Sequence, residues 1–376
     1  MGKPLFIGLM SGTSLDGVDG VLVDFSSGAP VVLQHGYAPF DPAFAADLLS
    51  LNRPGDNEIH RAALAANTLA RSYAQVVRGL LAAADVQPQD VTAIGAHGQT
   101  VRHRPQEFDG TGYTVQINNP ALLAELSGID VVADFRSRDL AAGGQGAPLV
   151  PAFHREVFGR LSRQACILNV GGISNLTVLP AATGDGATAP LLGFDCGPGN
   201  ALMDFWCQRH TGQGFDRDGA WADTGTVHAP LLDRLMAEPF LAKAPPKSTG
   251  RDLFNPDWLS VHLAAHADLA AADVQASLCT FTARTIAEAV LRHAPQTELL
   301  VVCGGGALNL SLMRRLQSAL PAARVRSSAD HGLPPLQVEA TAFAWLACKA
   351  VMRETGSLTS VTGAQGARVL GAIYPR

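Results

Sequence analysis

Four short glycine-rich turns follow apolar stretches of the sequence, and their residue types could hold an anion. They are Ser11–Gly17, Gly171–Asn175, Gly197–Asn200 and Gly304–Asn309. Glycine lets a ligand approach the backbone closely and leaves amide N–H groups pointing outward, where they can donate to phosphate oxygens. One such turn is more often a plain connection, but four of them at the ends of apolar stretches indicate phosphate binding.

Two common nucleotide-binding patterns are absent from these turns. The segment PPKSTG (Pro245–Gly250) contains Lys, Ser and Thr but lacks the upstream glycine loop of a P-loop, which is therefore excluded. No GxGxxG motif follows an apolar strand, and this disfavours a nicotinamide-dependent dehydrogenase.

Two carboxylates are candidates for acid–base chemistry. Asp195 ends an apolar strand in GFDCGPGN, and Glu339 opens the helical stretch EATAFAWLA. A carboxylate at a strand end can take a proton from water as a general base, and a Glu in a first helical turn is stabilised by the helix dipole. The simpler alternatives are that Asp195 caps the following helix and that Glu339 is an ordinary first-turn residue. The residue types alone leave these alternatives open.

The elements that would position these groups alternate between strand and helix patterns. Strands are predicted at Leu5–Met10, Gly17–Asp24 and Val31–Ala38, and apolar residues at helical spacing predict a helix over Glu58–Ala84. After a Gly-rich segment that we expect to be a loop (Arg136–Pro151), CILNVGGISNLTVLP repeats the plan of strand, glycine turn and strand. The repeat predicts an α/β fold of two similar domains facing a central cleft, with ligands at the strand ends.

Composition narrows the class of protein further. The 376 residues have a net charge of −5 and no Lys/Arg run, so neither nucleic acid nor a membrane surface is an expected partner. Six cysteines without a CxxC pair predict buried free thiols in a reducing compartment and no zinc site. With no apolar leader and no apolar stretch of about 18 residues, we expect a cytoplasmic protein. We expect residues 1–135 plus 355–376 to form the first domain and 136–354 the second.

Eight stretches resemble the motifs of one enzyme family, in that family's order. They are IGLMSGTSLDGVD, AHGQT, DFRSRDLAAGGQGAPLVPAFH, LNVGGISNLTVL, GFDCGPGNALMDFW, PPKSTGRDLFN, VVCGGGALN and EATAFAWLA. From about Phe6 to Pro375 the chain thus resembles the anhydro-N-acetylmuramic acid kinases. The resemblance implies two actin-like (ribonuclease H-like) domains. It also implies that ATP, Mg²⁺ and water convert 1,6-anhydro-N-acetylmuramic acid to N-acetylmuramic acid 6-phosphate and ADP, in the recycling of cell-wall peptidoglycan.

The resemblance assigns roles to individual residues. Asp195 is the expected catalytic base, and Glu339 is expected to assist the water or the ring opening. The expected ATP-binding residues are Gly12, Thr13, Ser14, Leu15, Asp16, Gly17, Val18 and Asp19 in the first turn, Gly171, Gly172, Ser174 and Asn175 in the second, and Gly304, Gly305 and Gly306 in the last. The residues expected at the sugar are His97, Gln99, Asn118, Arg136, Gly197 and Asn200.

The resemblance leaves the metal site open and suggests a homodimer. Actin-like kinases usually carry an Asp inside the first strand, near Mg²⁺, and IGLMSG has none. Asp16 and Asp19 are therefore candidates for contact with Mg²⁺ through water, and the nucleotide itself is a further candidate.

Three other functions stay open beside this one. The protein could be a kinase of another anhydro-sugar, such as levoglucosan. It could be a glycoside hydrolase with Asp195 and Glu339 as its carboxylate pair, although the four glycine turns would then have no role. It could also be a non-enzymatic, actin-like nucleotide switch that does not respond to sugar.

Overall fold

The chain divides into two compact units. The computed structural model describes residues 4–12, 14–159, 161, 164–179, 191–251 and 253–376. The first unit comprises Met1–Val157 with Leu336–Arg376, and the second unit is Phe158–Pro335.

This division differs from the predicted one at both crossings of the chain. Residues 136–157 and 336–354, which we expected in the second domain, pack with the first unit. Long-range hydrogen bonds hold the first of these segments there, because Thr362 Oγ1 donates to the Asp139 carboxylate at 2.8 Å and Gln145 N donates to Thr362 O at 2.8 Å.

Thirteen strands form the sheets of the described residues. They are β1 (Leu5–Met10), β2 (Gly17–Asp24), β3 (Val31–Pro39), β4 (Val91–Ala96), β5 (Gln99–Pro105), β6 (Gly112–Ile117), β7 (Val131–Ala133), β8 (Ala165–Val170), β9 (Ile173–Leu179), β10 (Leu192–Pro198), β11 (Leu299–Cys303), β12 (Arg324–Ser327) and β13 (Ala372–Tyr374). The first unit contains the sheet β13-β7-β4-β1-β2-β3 and the separate hairpin β5-β6, and the second contains the sheet β10-β9-β8-β11-β12.

The two sheets share one five-stranded plan. In the first unit, β1, β2 and β3 form an antiparallel meander, and β4 and β7 then extend the sheet in parallel beyond β1. In the second unit, β8, β9 and β10 form the same meander, and β11 and β12 extend it in parallel beyond β8. The repeat predicted from the sequence is confirmed, and the plan is that of two actin-like α/β domains.

Thirteen α-helices complete the described part of the chain. They are α1 (Pro42–Ser50), α2 (Glu58–Ala84), α3 (Pro120–Ser127), α4 (Ser137–Ala141), α5 (Val150–Phe158), α6 (Ala201–Thr211), α7 (Ala229–Met236), α8 (Pro239–Ala242), α9 (Pro256–Leu263), α10 (Ala271–His293), α11 (Leu310–Ala319), α12 (Val338–Val351) and α13 (Thr359–Thr362). Asp41, Asn119 and Asn255 start α1, α3 and α9 by accepting hydrogen bonds from backbone N–H groups of the first turn, and a proline follows each of them.

The Gly-rich segment Arg136–Pro151 is more regular than predicted. It contains α4 and the first residues of α5, so the expectation of a plain loop was wrong. One other sequence-based expectation is confirmed, since all six cysteines are free and buried. No helix among the residues described here is long and apolar enough to span a membrane.

Helix α12 packs directly on the first sheet because two glycines leave room for it. Gly8 of β1 and Gly95 of β4 are neighbours in the parallel pair of strands. A Cβ atom at Gly8 would lie 1.8 Å from the carbonyl oxygen of Ala340, and one at Gly95 would lie 2.0 Å from that of Phe343. The backbone of α12 therefore occupies the space that side chains would take on other strands.

The stability of the first unit should fall in mild acid because of the buried His154 of α5. Its side chain is fully buried, and burial lowers its pKa from 6.5 to about 3. Between these two values the unfolded chain binds the proton and the folded chain does not, so stability falls as the pH falls below 6.5. From pH 7 to pH 5 we expect His154 to cost about 2 kcal/mol of unfolding free energy.

Urea denaturation at both pH values, on the wild type and on His154→Phe, measures this cost. The variant lacks the titrating group, so the free energy of unfolding that it loses between pH 7 and pH 5 should be about 2 kcal/mol smaller than in the wild type. His60→Phe changes an exposed histidine of α2 and should lose as much as the wild type. Equal losses in all three proteins would contradict the prediction.

Candidate active site

Three of the four glycine turns meet at one end of the second sheet. The turn that carries Gly199 packs on Gly171, since Asn200 N donates to Gly171 O at 2.8 Å and a Cβ at Gly199 would lie 2.3 Å from that oxygen. Gly304 adopts a left-handed conformation (φ 75°), and a Cβ there would lie 2.4 Å from Asn169 Oδ1. Both the conformation and the close approach require glycine at this position.

Two of these glycines present backbone with open space beside it. A Cβ at Gly171 would meet nothing nearer than 3.8 Å, and one at Gly305 would meet only the Asn200 amide at 3.4 Å. Gly306 differs, because its Cβ would lie 2.3 Å from Val170 Cγ1, so its role is packing. Gly171 and Gly305 are thus the positions at which a phosphate or a sugar ring of a nucleotide could approach the backbone.

A row of polar side chains crosses the sheet beside these turns. Asn169 of β8 lies directly opposite Asn175 of β9, which lies directly opposite Asp195 of β10. Directly paired residues of neighbouring strands place their side chains on the same face. Asn175 Oδ1 is buried and has no hydrogen-bond partner in the described residues, so a donor on a ligand would satisfy it. Sequence analysis missed Asn169, although a lone Asn inside the apolar run CILNV was a usable signal.

The carboxylate of Asp195 is held by the segment that follows α8. Thr249 N donates to Asp195 Oδ2 at 2.9 Å, and Asp195 N donates to Lys247 O at 3.2 Å. Asp195 as a whole residue is 9% exposed and counts among the buried polar residues. Asp195 lies inside β10, six residues before α6 begins at Ala201. The alternative of a helix-capping Asp195 therefore does not apply.

Ser174 and Gly197 form hydrogen bonds within the second sheet. Ser174 is fully buried, and its hydroxyl donates to the carbonyl oxygens of Gly197 at 3.1 Å and Pro198 at 3.3 Å. Asn200 donates through Nδ2 to Val170 O at 3.2 Å. These side chains hold the turns together, and the structure gives Ser174 no orientation toward a ligand.

In the first unit, hydrogen bonds and one buried side chain anchor the turn between β1 and β2. Ser11 is buried, and its hydroxyl donates to Gly98 O at 3.2 Å. Gln99 Nε2 donates to Gly12 O at 3.1 Å. Leu15 is left-handed (φ 60°) and buries its side chain in a small apolar cluster. Gly12 itself is open, because a Cβ there would meet only Ser14, at 3.5 Å.

The remaining residues predicted in this turn divide into three groups. Val18 is fully buried in the core, and Gly17 is required for packing, since a Cβ there would lie 2.4 Å from Ala38 O. Asp16 accepts a hydrogen bond from Ser14 Oγ at 2.6 Å, and Asp19 lies 3.0 Å from His35 Nε2. Thr13 lies outside the described residues.

A metal site does not form from protein ligands alone in the residues that the structure describes. They contain no group of three or more His, Cys, Asp or Glu side chains arranged to hold an ion. The acidic side chains of the first turn, Asp16 and Asp19, are the carboxylates nearest to the open backbone at Gly12 in the sequence. Such a set fits only a metal that keeps most of its ligands from water and a bound nucleotide.

His97 and Arg136 form a bonded pair in the first unit. His97 Nε2 accepts from Arg136 Nη2 at 2.9 Å and from Nε at 3.2 Å, and Arg136 Nη1 donates to Gly146 O at 2.9 Å. Burial, and then the charge of Arg136, hold the pKa of His97 well below 6.5. The neutral ring is thus an acceptor that orients the guanidinium, and its Nε2 is already used. Burial and Arg136 also lower the pKa of His103, to about 4.

Gln99 begins β5, and Asn118 directly follows the neighbouring strand β6. Gly98, between His97 and Gln99, contacts Asn118, because a Cβ at Gly98 would lie 3.1 Å from Asn118 Cβ. Gln99 Oε1 and Asn118 Oδ1 are buried and have no hydrogen-bond partner among the described residues. Unsatisfied acceptors of this kind match the hydroxyl or amide donors of a sugar. His97, Gln99, Asn118 and Arg136, all predicted at the sugar, are therefore brought together.

Glu339 lies in the first turn of α12, half-buried, in the first unit. Asp195 belongs to the second unit, so the two predicted carboxylates come from different units.

Comparison with known proteins identifies the family. The family model described as "AnmK: Anhydro-N-acetylmuramic acid kinase" matches residues 4–376. The chain is 65% identical, over the whole length of both proteins, to an anhydro-N-acetylmuramic acid kinase of Variovorax paradoxus (strain S110). It is 60% identical to one of Albidiferax ferrireducens, over 99% of each chain.

The chain belongs to the anhydro-N-acetylmuramic acid kinase family. It is therefore an enzyme, a kinase, as the resemblance of its motifs implied. Among solved structures it is similar to an activator of the 2-hydroxyisocaproyl-CoA dehydratase from Clostridium difficile, with a TM-score of 0.47 and 11% identity over 90% of this chain and 92% of that one.

Proposed function

We propose that this enzyme uses ATP to phosphorylate 1,6-anhydro-N-acetylmuramic acid at O6 while water opens the anhydro ring. The match to the family over residues 4–376 is the observation that carries the proposal. The product is N-acetylmuramic acid 6-phosphate with ADP, and the role is peptidoglycan recycling in the cytoplasm. The homodimer suggested by resemblance stays a prediction.

The reaction requires one base and a site for phosphates. In the anhydro ring O6 is bonded to the anomeric carbon, so it cannot accept a phosphoryl group until that bond breaks. Water attacks the anomeric carbon, the bond to O6 breaks, and O6 attacks the γ-phosphorus as the bond to ADP breaks. Asp195 takes the proton from the water. Phosphoryl transfer itself needs mainly positioning and charge neutralisation.

Asp195 has the environment that a general base needs. Thr249 N donates to Oδ2, which fixes the plane of the carboxylate that we propose to face the water. The neighbouring Asn175 Oδ1 lacks a partner and can accept from a ligand hydroxyl or from the water itself. Glu339, at the start of α12, is proposed to assist ring opening.

The open backbone positions in each unit are proposed to bind the nucleotide. Gly12 in the first unit, and Gly171 and Gly305 in the second, have room beside their backbone, so N–H groups of these turns can reach phosphate oxygens. Mg²⁺ would be held by the nucleotide phosphates and water, with Asp16 or Asp19 in its outer shell, and would neutralise phosphate charge.

The sugar is proposed to bind at the group of residues around Gln99. The unsatisfied oxygens of Gln99 and Asn118 would accept from the N-acetyl N–H or from ring hydroxyls. Arg136, oriented by His97, would bind the lactyl carboxylate, since a guanidinium forms planar charge-assisted hydrogen bonds.

An ADP-release assay with two sugars and a control without sugar tests the proposal. The purified protein with Mg²⁺ and ATP should release ADP when 1,6-anhydro-N-acetylmuramic acid is added and much less with levoglucosan, which lacks the N-acetyl and lactyl groups. Without sugar, ADP release should be close to background.

Other outcomes identify the alternatives. Preference for levoglucosan would favour a kinase of a different anhydro-sugar, and ring opening without ATP would favour a hydrolase. An absence of sugar-stimulated ADP release would refute the proposal.

A further inference from the structure

The motif PPKSTG has a structural explanation that its sequence did not reveal. It is not a phosphate loop, yet it runs along the free edge of β10, the outermost strand of the second sheet. There Lys247 O accepts from Asp195 N at 3.2 Å, and Thr249 N donates to Asp195 Oδ2 at 2.9 Å. The segment therefore contacts both the backbone and the carboxylate of the proposed base.

The Lys247 side chain fixes this segment from the other side. The residue is 9% exposed, and its ammonium donates to the carbonyl oxygens of Leu241 at 3.1 Å and Phe240 at 3.3 Å. The same ammonium lies 4.7 Å from the centre of the Phe240 ring. These carbonyl groups belong to α8, so the buried side chain ties the segment to a helix of the core.

Burial of a lysine side chain costs free energy unless other groups compensate its charge, because burial disfavours the charged form. Burial is the main cause that lowers the pKa of Lys247 from its ordinary 10.5, and the charge of Arg292 acts in the same direction. Two carbonyl oxygens and an aromatic ring surround the ammonium and compensate its charge, and the charge of Asp195 acts in the same sense. An apolar residue would fill the same space at less cost, so the ammonium is used for the fixed geometry that its directional hydrogen bonds give.

We propose that Lys247 is a positioning residue for Asp195. The Lys247 side chain holds PPKSTG on β10, and the Thr249 N–H of this segment then keeps the Asp195 carboxylate oriented toward the attacking water. The proposal rests on the proposed function, because it takes Asp195 as the general base. Lys247 itself touches neither the sugar nor the nucleotide in this scheme. Its charge also acts on Asp195 directly, and hydrogen exchange at the Thr249 amide isolates the part of its effect that passes through this N–H.

The test compares Lys247→Met with Lys243→Met. Methionine keeps the length of the side chain and loses the donors. Lys243 is exposed and four residues earlier, so its replacement makes the same change of charge without the two carbonyl contacts. We expect Lys247→Met to lower kcat for sugar-dependent ADP release about tenfold while KM for the sugar changes less than about twofold. Lys243→Met should match the wild type in both constants.

Hydrogen exchange provides a readout that does not need activity. In Lys247→Met the amides of Asp195 and Thr249 should exchange about tenfold faster or more, and peptides of the first sheet should be unchanged. Should Lys247→Met not fold, Phe240→Leu removes the ring beneath the ammonium, leaves both carbonyl groups, and should change kcat and exchange in the same direction by less.

Each outcome decides the proposal. Unchanged exchange at Asp195 and Thr249 would overturn it, as would faster exchange with an unchanged kcat, or a raised KM at constant kcat. If the wild type shows no sugar-dependent ADP release, the proposed function fails, and the exchange comparison still decides whether Lys247 holds the segment on β10.

Discussion

Replacing Asp195 by Asn should lower sugar-dependent turnover by about 100-fold or more, the scale of a lost general base. The change is nearly isosteric, and the amide can still present its oxygen to the Thr249 N–H that now donates to Oδ2 at 2.9 Å. The fold and ATP binding should therefore persist while the basicity is lost. Steady-state ADP release measures kcat, and calorimetric titration with a non-hydrolysable ATP analogue measures nucleotide affinity.

Asp233→Asn is the matched control for this variant. Asp233 lies on α7 of the same unit, and its side chain is 75% exposed, with Arg284 3.8 Å away. The chemical change is identical, but a surface ion pair of this kind contributes little, so kcat should stay close to that of the wild type. An Asp195→Asn enzyme with the full activity of Asp233→Asn would exclude Asp195 as the base.

The elements of the fold follow from local sequence, whereas their grouping does not. The bounds of β1, β2 and α2 were predicted residue for residue, because period-2 and period-3.6 patterns and the glycine turns are local signals. The domain division depends on partners far apart in the chain. Asp139 accepts from Thr362, 223 residues later, and no local pattern marks that pair.

The residue types of the site could be predicted from the sequence. Which of their donor and acceptor atoms are left unpaired for a ligand could not. His97 and Arg136 were both expected at the sugar, yet the structure uses His97 Nε2 to hold Arg136. Ser174 was expected at phosphate, yet its hydroxyl holds β10. A sequence lists donors and acceptors, whereas only the packed structure shows which of them are already paired. The unsatisfied oxygens of Gln99 and Asn118 belong to this second kind of information.

Of the substitutions that add one methyl group to the first sheet, Gly8→Ala should be the most destabilising. We expect it to lower the free energy of unfolding by about 3 kcal/mol or more. The added Cβ would lie 1.8 Å from Ala340 O and 2.8 Å from Ala344 N, which are backbone atoms of a fully packed helix. A flexible side chain could move aside, but here α12 as a whole must shift. Because α12 carries Glu339 in its first turn, the shift should also lower turnover in whatever fraction stays folded.

Gly79→Ala makes the same chemical change, but we expect it to raise the stability of the protein. Gly79 lies in the exposed part of α2, and a Cβ there would meet nothing within 4 Å. Alanine should stabilise this helix by about 0.5–1 kcal/mol, since it loses less backbone entropy on folding. Urea denaturation of the two variants and the wild type, followed by far-UV circular dichroism, measures both changes. If Gly8→Ala were as stable as the wild type, α12 could not lie on Gly8 and Gly95, and the position of Glu339 in the first unit would have to be reassigned.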